Sequence, residues 1–308
     1  MRRLWSAWVA LLSVREPATS LARFRIALGL VVLYSLLSMV AADLVEVMWV
    51  DFDHGGLQTL DARHWLVRAL GGRTPTTAWT LVGAGLGLGA LLVVGLGGRL
   101  TALGLLQVYY AINTAKGTLT GGYDTLITNA LWLLVFAQST ATLSLDCRRR
   151  TGRWTSDEPV PAWPRYLLIL QLLVVYGTTG LYKLSPVWTP GGDYSALYWV
   201  FQDPTWRRFD MTLTASIYPL TQLATAVTWW WEVLTPLMLV VYWARHTAAR
   251  GGRLRRALNR YDLRKPWAAI GIGLHLGILA MLNVGPFSWI SMSYYLCLIP
   301  PRAAQGDR

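Results

Sequence analysis

Charged residues are scarce in this chain, at 14% of the sequence. An ordinary soluble domain carries roughly 25%. Only two cysteines are present, Cys147 and Cys297, and the first is predicted in a cytoplasmic loop and the second in the last apolar helix. A disulfide framework is therefore not expected. The scarcity of charge argues against a soluble fold of any class.

Motifs for metals and nucleotides are missing as well. The glycine-rich run at 83–98 contains no GxGxxG or GxxxxGK, so its small residues, such as Gly83 with Gly87 four positions later, are predicted to let membrane helices approach closely. Asp51, Asp53 and His54 match the spacing of no defined metal site. No metal cofactor is expected.

Apolar residues are abundant, at 54% of the chain, and they fall in blocks of roughly 17–25 residues, the length that crosses a bilayer as a helix. We predict a single all-α domain over 1–308, a polytopic bundle of about eight transmembrane helices, with seven to nine as the range. The predicted spans are 20–42, 75–97, 100–115, 123–143, 164–185, 219–243, 266–284 and 286–301.

The first residues predict an amphipathic helix over 1–15 that lies in the membrane interface, since one side carries Leu4, Trp5, Trp8, Leu11 and Leu12. A cleavable signal peptide is the alternative. No small-residue cleavage site follows, and Pro17 breaks the stretch.

Basic residues set the predicted orientation. They concentrate in the 145–165 and 244–265 loops, whereas the 43–74 and 184–218 loops are mixed in charge. The positive-inside rule places the first two loops, both termini and the 302–308 tail in the cytoplasm. The net charge of +12 is thus explained by membrane lipid headgroups, and nucleic acid is not expected as a partner.

Aromatic residues leave two interpretations open. The 17 tryptophans and 14 tyrosines fit interfacial belts. The TWWWE segment at 228–232 is also dense enough to line a ligand pocket.

Three ionisable residues fall within or at the end of predicted spans: Lys183, Glu232 and His275. Such residues are costly in a membrane and are functional candidates. The structural alternatives are that Lys183 snorkels to headgroups, Glu232 pairs with an arginine, and His275 bridges helices. Together, an amine, a carboxylate and an imidazole on consecutive helices indicate a proton-handling site.

Helical spacing relates these residues to one another. Tyr176 and Lys183 are seven positions apart, so they share a face at about 10 Å, while Tyr182 lies on another face. His275 is predicted about 14 Å below the outer end of its helix. Direct contact between His275 and Lys183 is therefore not assured, and a bound ligand could span the gap.

Several motifs resemble one membrane family. An arginine at the start of the first span, Arg25, and the segments TAKGTLTGGYDTLITNALWLLVF, LQLLVVYGTTGLYKLSPVWTPGG and HLGILAMLNVGPFSWISM are similar to the horizontally transferred transmembrane (HTTM) domain, the membrane domain of vitamin K-dependent γ-glutamyl carboxylase and its bacterial relatives. The resemblance covers nearly the whole chain and implies a bacterial-type plasma membrane.

The resemblance also implies a chemistry. The lysine of the family's "Kl…W" motif, here Lys183, is the base that deprotonates vitamin K hydroquinone, whose anion reacts with oxygen to form a base strong enough to deprotonate the substrate. A reduced quinone, menaquinol or vitamin K hydroquinone, is therefore the expected cofactor. His275 and Glu232 are expected beside Lys183 in the catalytic site.

One position departs from the family pattern. Where the carboxylases carry an Asn-His pair, this chain reads GGYDTL, so Gly122, Tyr123 or Asp124 takes the histidine's place. The expected cofactor contacts are Tyr123, Asp124, Tyr176, Trp188 and Asn283. The predicted function is quinol-linked oxidative modification of a peptide or small molecule at the outer membrane face. The alternative is a non-enzymatic membrane factor for maturation, export or immunity of a secreted antimicrobial peptide.

Overall fold

A computed structural model describes residues 2–57, 59, 63–117 and 120–301. The described chain is mostly helical and contains one two-stranded sheet. It divides into two compact units, one formed by residues 1–168 with 289–308 and the other by residues 169–288. The tail predicted at 302–308 lies outside the described residues.

The first unit begins with α1 (Arg2–Leu12), which matches the predicted amphipathic helix and exposes Trp5 and Trp8. Its further elements are β1 (Arg15–Pro17), α2 (Thr19–Ala41), α3 (Val45–Trp49), α4 (Trp65–Ala69), α5 (Pro75–Val94), α6 (Gly98–Lys116), α7 (Gly122–Phe136), α8 (Leu145–Thr151), β2 (Pro159–Pro161) and the start of α9 (Trp163–Tyr182).

Glycines allow α2 and α5 to pack closely, but they are not the predicted pair. A Cβ on Gly29 would lie 2.7 Å from Val93 Cγ2, and one on Gly85 would lie 2.7 Å from Leu36 Cδ1. Gly83 and Gly87 face the surface, where a Cβ would meet nothing within 4 Å. The prediction that Gly83 and Gly87 form the packing face was wrong, because the helix phase puts the neighbouring small residues, Gly85 and Gly89, on the α2 side.

One end of the first unit, here called the sheet end, is organised by β1 and β2, which pair antiparallel. Glu16 accepts hydrogen bonds from Arg165 at 2.5 and 2.6 Å. Ser20, in the first turn of α2, donates to the Ile299 carbonyl at 2.6 Å. The start of α2, the start of α9 and the end of the last helix therefore lie together.

The opposite end of the first unit, the loop end, joins the 43–74 segment to the end of α6. Arg73 donates to the Ala115 carbonyl at 2.6 Å and lies 3.8 Å from Asp51. At the sheet end, fully buried Arg25 donates to the Ser139 and Leu143 carbonyls. Arg25 thereby fixes the chain beyond α7 to the first turns of α2.

The second unit contains most of α9 and the first residues of α15 (Phe287–Tyr295). Between them lie α10 (Ala196–Gln202), α11 (Tyr218–Leu234), α12 (Leu237–His246), α13 (Arg253–Arg260) and α14 (Arg264–Met281). The sequence predicts one continuous span over 219–243. The structure instead bends by 49° between α11 and α12, because Pro236 has no N–H to continue the helical hydrogen bonds.

Three described helices are long and apolar enough to cross a membrane, namely α2, α5 and α9, and the bent α11–α12 pair makes a fourth. Eight spans are not confirmed. The predicted span at 123–143 is shorter than expected, since α7 ends at Phe136, and α15 ends at Tyr295 before a 3-10 turn over Leu296–Leu298. The mostly helical character is confirmed, and helices long enough to cross a membrane are present.

Candidate functional site

Lys183 follows the last residue of α9 and turns towards a carboxylate. Its Nζ donates to both oxygens of Glu232, at 2.8 and 2.6 Å. The side chains are 20% and 8% exposed, respectively. The expected partners Lys183 and Glu232 therefore meet, and Lys183, not an arginine, pairs with Glu232.

Two glycines on α9 let α11 approach this pair. A Cβ on Gly180 would lie 2.7 Å from the backbone nitrogen of Val233 and 2.8 Å from Glu232 Cβ. A Cβ on Gly177 would lie 2.9 Å from Pro236 Cγ. The GTTG sequence of α9 thus brings the α11 backbone close enough for Glu232 to reach Lys183.

The segment after Lys183 folds back over the lysine. The Trp188 ring lies 4.4 Å from Lys183 Nζ, a cation–π distance. A Cβ on Gly192 would overlap the Pro186 carbonyl oxygen at 1.9 Å, so the return of the loop requires glycine there. The KLSPVWTPGG motif therefore has a local structural purpose, which is to hold Trp188 against the amine.

Asp193 fixes the remainder of this loop. Its carboxylate accepts hydrogen bonds from the hydroxyl and amide of Ser195, at 2.7 and 3.0 Å. These bonds hold the pKa of Asp193 below its usual range. Gln222 of α11 donates to the Asp193 carbonyl at 2.6 Å, which ties the loop to the helix that carries Glu232.

The tryptophans of TWWWE have separate environments. Trp229 donates to the Lys183 carbonyl at 3.1 Å, and Trp230 is 44% exposed. Trp231 is buried and stacks on Trp267, with ring centroids 5.2 Å apart. Trp230 therefore faces outwards, while Trp229 and Trp231 pack beside Lys183 and Tyr176, and a ligand pocket lined by this segment stays a prediction.

His275 lies in the buried face of α14 and bonds Tyr176 of α9. The Tyr176 hydroxyl is 2.5 Å from His275 Nε2. The Tyr176 ring also packs at 4.6 Å on Trp231, the residue before Glu232. Tyr176 and Lys183 thus contact adjacent residues of α11, as their shared face predicts, whereas Tyr182 is 86% exposed.

The second nitrogen of His275 is unsatisfied. Nδ1 is buried and has no hydrogen-bond partner among the residues that the structure describes. If Tyr176 donates to Nε2, Nδ1 carries the proton of the neutral ring, and if Nε2 donates to Tyr176, Nδ1 is an acceptor. Either arrangement leaves the imidazole able to bond one further polar group.

Asn283 lies beyond the end of α14 and is exposed. Its backbone amide donates to the Trp206 carbonyl at 2.7 Å. The following Phe287 ring lies 5.5 Å from the His275 ring. The chain therefore folds back between His275 and Phe287, and Asn283 lies in the exposed turn between them.

Asp124 and Tyr123 belong to the first unit, at its loop end. Asp124 is buried and accepts hydrogen bonds from Tyr109, Lys116 and the Gly121 amide, at 2.8, 2.9 and 2.9 Å. The Lys116 ammonium also lies 5.4 Å from the Tyr123 ring centroid. Tyr123 and Asp124 thus both contact a second buried lysine, Lys116.

Sequence reasoning missed Lys116 and Tyr109. Lys116 ends an apolar helix eight residues before Asp124, and its signal is the rarity of lysine at such a place. Tyr109 lies two helical turns earlier on the same face. A search for carboxylate and amine pairs across the α6–α7 turn would have found both residues.

A family model of the HTTM domain matches residues 15–249. The chain belongs to the HTTM domain family. No protein with a curated description and no solved structure matches it. The HTTM domain is a membrane domain related to that of vitamin K-dependent carboxylase, so this chain is a membrane protein.

The HTTM match contains most of the candidate residues. Asp124, Tyr176, Lys183, Trp188 and Glu232 lie within it, while His275 and Asn283 follow its end. In the HTTM domain described here, the Lys183–Glu232 pair has the geometry to exchange a proton, since donor and acceptor are 2.6 Å apart.

Proposed function

We propose that this HTTM protein is a quinol-linked oxidative modifier of a peptide or small molecule, with Lys183 as the base. The observation that supports this function is the direction of Lys183, which turns inwards to the buried Glu232 and lies under Trp188. A lysine that only anchored a helix end would extend its ammonium into the headgroups. An inward amine is instead placed for proton chemistry.

Lys183 acts as a base only after it releases its own proton. Glu232 is the acceptor, because its carboxylate contacts Nζ directly. In the proposed role, Glu232 would hold the proton that Nζ releases, and Lys183 Nζ would then accept a proton from the hydroxyl of a bound quinol.

The surroundings of Lys183 fit a lipophilic ring. Trp188 supplies an aromatic face, and Leu181, Tyr182 and Leu184 are exposed apolar side chains next to the lysine. Lys183 and Trp188 would hold the quinol, and His275 Nδ1 is available for a polar group. A bound quinol, with oxygen as the oxidant, supplies the base that deprotonates the molecule to be modified. Contacts from Tyr123, Asp124 and Asn283 stay predictions.

The test is quinol oxidation by the purified protein in lipid nanodiscs. Oxygen consumption and quinone epoxide are followed with menaquinols for wild type, Lys183→Met and Glu232→Gln. Lys265→Met is the matched control, since Lys265 is exposed at the start of α14. We expect epoxide from wild type and the control, and a loss of at least about 100-fold in Lys183→Met, the scale of general base catalysis.

The alternative function is a non-enzymatic factor that binds, exports or confers immunity to an antimicrobial peptide. The ion pair between Lys183 and Glu232 favours this alternative, because such a pair can have a purely structural role. Absence of turnover with several menaquinols, in a wild-type sample with an intact cooperative unfolding transition, would overturn the enzymatic proposal and leave this alternative.

We also propose a multi-pass topology with both termini in the cytoplasm. The start of α2 and the end of the last helix share the sheet end, through Ser20 and Ile299, and this supports an even number of crossings, with eight as the expectation. Arg148, Arg149 and Arg150 are exposed on α8, beside the same end. Their charge supports a cytoplasmic sheet end and an outer loop end.

A further inference from the structure

A cavity of about 590 Å³ opens in the first unit between the end of α6 and the first turns of α7. Its lining includes Arg63, Tyr110, Asn113, Asp124, Thr128 and Asn129. The volume is in the range of small-molecule sites, about 300–1,000 Å³. Tyr110 is half exposed and Asn129 is exposed, so the cavity is accessible from outside the unit.

A buried polar atom in the lining, Asn113 Oδ1, has no partner among the residues that the structure describes. Asn113 Nδ2 donates to Thr128 Oγ1 at 3.3 Å, which fixes the orientation of the amide. Its Oδ1 is buried and makes no hydrogen bond to any residue that the structure describes. A buried acceptor without a partner is costly, at about 1–3 kcal/mol. The site therefore favours a ligand that brings an O–H or N–H donor to this oxygen.

The charges of the lining favour an anion. Asp124 already accepts three hydrogen bonds, one of them from Lys116, so that pair is neutral overall. Arg63 remains as an exposed cation. A ligand with one negative charge and a hydroxyl group would complement both Arg63 and Asn113.

The surface between these polar atoms is mainly carbon, which suits an amphiphile better than a fully polar solute. Interfacial aromatics also surround the cavity. Trp65 is 55% exposed and donates to Gln107 of α6 at 3.1 Å, one turn before Tyr110. The His64 ring contacts Tyr110 at 5.4 Å. Tryptophan and tyrosine at helix ends mark the depth of lipid headgroups.

We propose that this cavity binds the headgroup of an anionic phospholipid that carries free hydroxyls, of the phosphatidylglycerol type. Arg63 holds the phosphate, Asn113 Oδ1 accepts a hydrogen bond from a headgroup hydroxyl, and Tyr110 packs against the glycerol carbons. This lipid site does not rest on the quinol proposal, because the residues proposed to contact the headgroup, Arg63, Asn113 and Tyr110, are not among those proposed to hold the quinol.

The experiment measures lipid retention by the full chain. Protein is reconstituted in phosphatidylcholine nanodiscs that contain increasing fractions of phosphatidylglycerol. The lipid that stays bound after release from the nanodiscs is counted by native mass spectrometry. The variants are Arg63→Gln and Asn113→Leu. Arg68→Gln is the control, since Arg68 is exposed on α4 and is outside the cavity lining. Glycerol 1-phosphate serves as a soluble competitor.

We expect one tightly retained phosphatidylglycerol per chain in wild type and Arg68→Gln. Arg63→Gln should weaken retention about fivefold, the effect of one basic residue near a headgroup. Asn113→Leu should weaken it at least about fivefold through the lost acceptor. Equal retention in Arg63→Gln and the control would overturn the proposal even if Asn113→Leu fails to fold. Full competition by glycerol 1-phosphate would overturn the lipid assignment in favour of a soluble phosphate ester.

Discussion

Buried pairs of opposite charge dominate this protein at the scale of single residues. Lys183 with Glu232 and Lys116 with Asp124 each place an amine against a carboxylate in an apolar helical unit. Such pairs add little net stability over a hydrophobic replacement, but removal of one partner is costly. Their presence in a chain with so few charges points to a role beyond packing.

The Lys183–Glu232 pair predicts a specific pattern of stability. Glu232→Gln leaves the ammonium without its counter-ion and should lower the free energy of unfolding by about 3 kcal/mol. Lys183→Met combined with Glu232→Gln should recover most of that loss, because no unpaired charge remains, and Lys183→Met alone completes the double-mutant cycle. Unfolding in detergent measures the cycle. Additive effects of the single changes would contradict the direct contact.

Close approach between helices depends on glycines at the scale of elements. On α9, Gly180 lies against the backbone of α11 beside Glu232. On α5, Gly85 and Gly89 face α2. Each glycine permits a close helix contact that a larger side chain would prevent. The position of the glycine therefore determines which helices pack together.

Gly180→Ala is expected to displace α11 from α9. The added Cβ would meet backbone atoms at 2.7 Å, and overpacking of this kind costs about 1–3 kcal/mol. Quinol turnover should fall with stability, since Glu232 moves away from Lys183. Gly273→Ala on α14 is the control, because its Cβ would meet nothing within 4 Å. Equal unfolding midpoints for the two variants would refute the close contact.

The two faces of α5 predict opposite responses to one substitution. Gly89→Leu should destabilise the fold by about 2 kcal/mol, the typical cost of overpacking, since a Cβ there already lies 3.1 Å from Leu33. Gly87→Leu should be neutral because it faces the surface. Thermal unfolding of both variants in the same detergent distinguishes them, and a larger loss for Gly87→Leu would reverse the assignment of the packing face.

At the scale of the whole molecule, the distribution of charge and the return of the chain to the sheet end predict the topology. In a background with the buried thiols Cys147 and Cys297 replaced by alanine, Asp53→Cys should react with a membrane-impermeant maleimide in intact cells. Asp157→Cys, an exposed position next to β2, should react only after permeabilisation. Labelling of Asp157→Cys in intact cells would invert the proposed orientation.

The sequence alone determined the membrane class, the position of most helices and the lysine worth testing. These features are local, because the length of an apolar run and a charge within it need no knowledge of distant residues. The bend at Pro236 was visible as a proline, but a membrane helix tolerates proline, so its effect required the surrounding structure.

Only the tertiary structure decided which residues meet. Lys183 contacts Glu232, 49 positions later, and Tyr176 contacts His275, 99 positions later. Lys116 pairs with Asp124 across the turn between α6 and α7. The rotation of α5 about its axis places Gly85 and Gly89, not Gly83 and Gly87, on the face that packs against α2. Contacts of this kind depend on how helices pack against one another, and one sequence of apolar helices is compatible with many such arrangements.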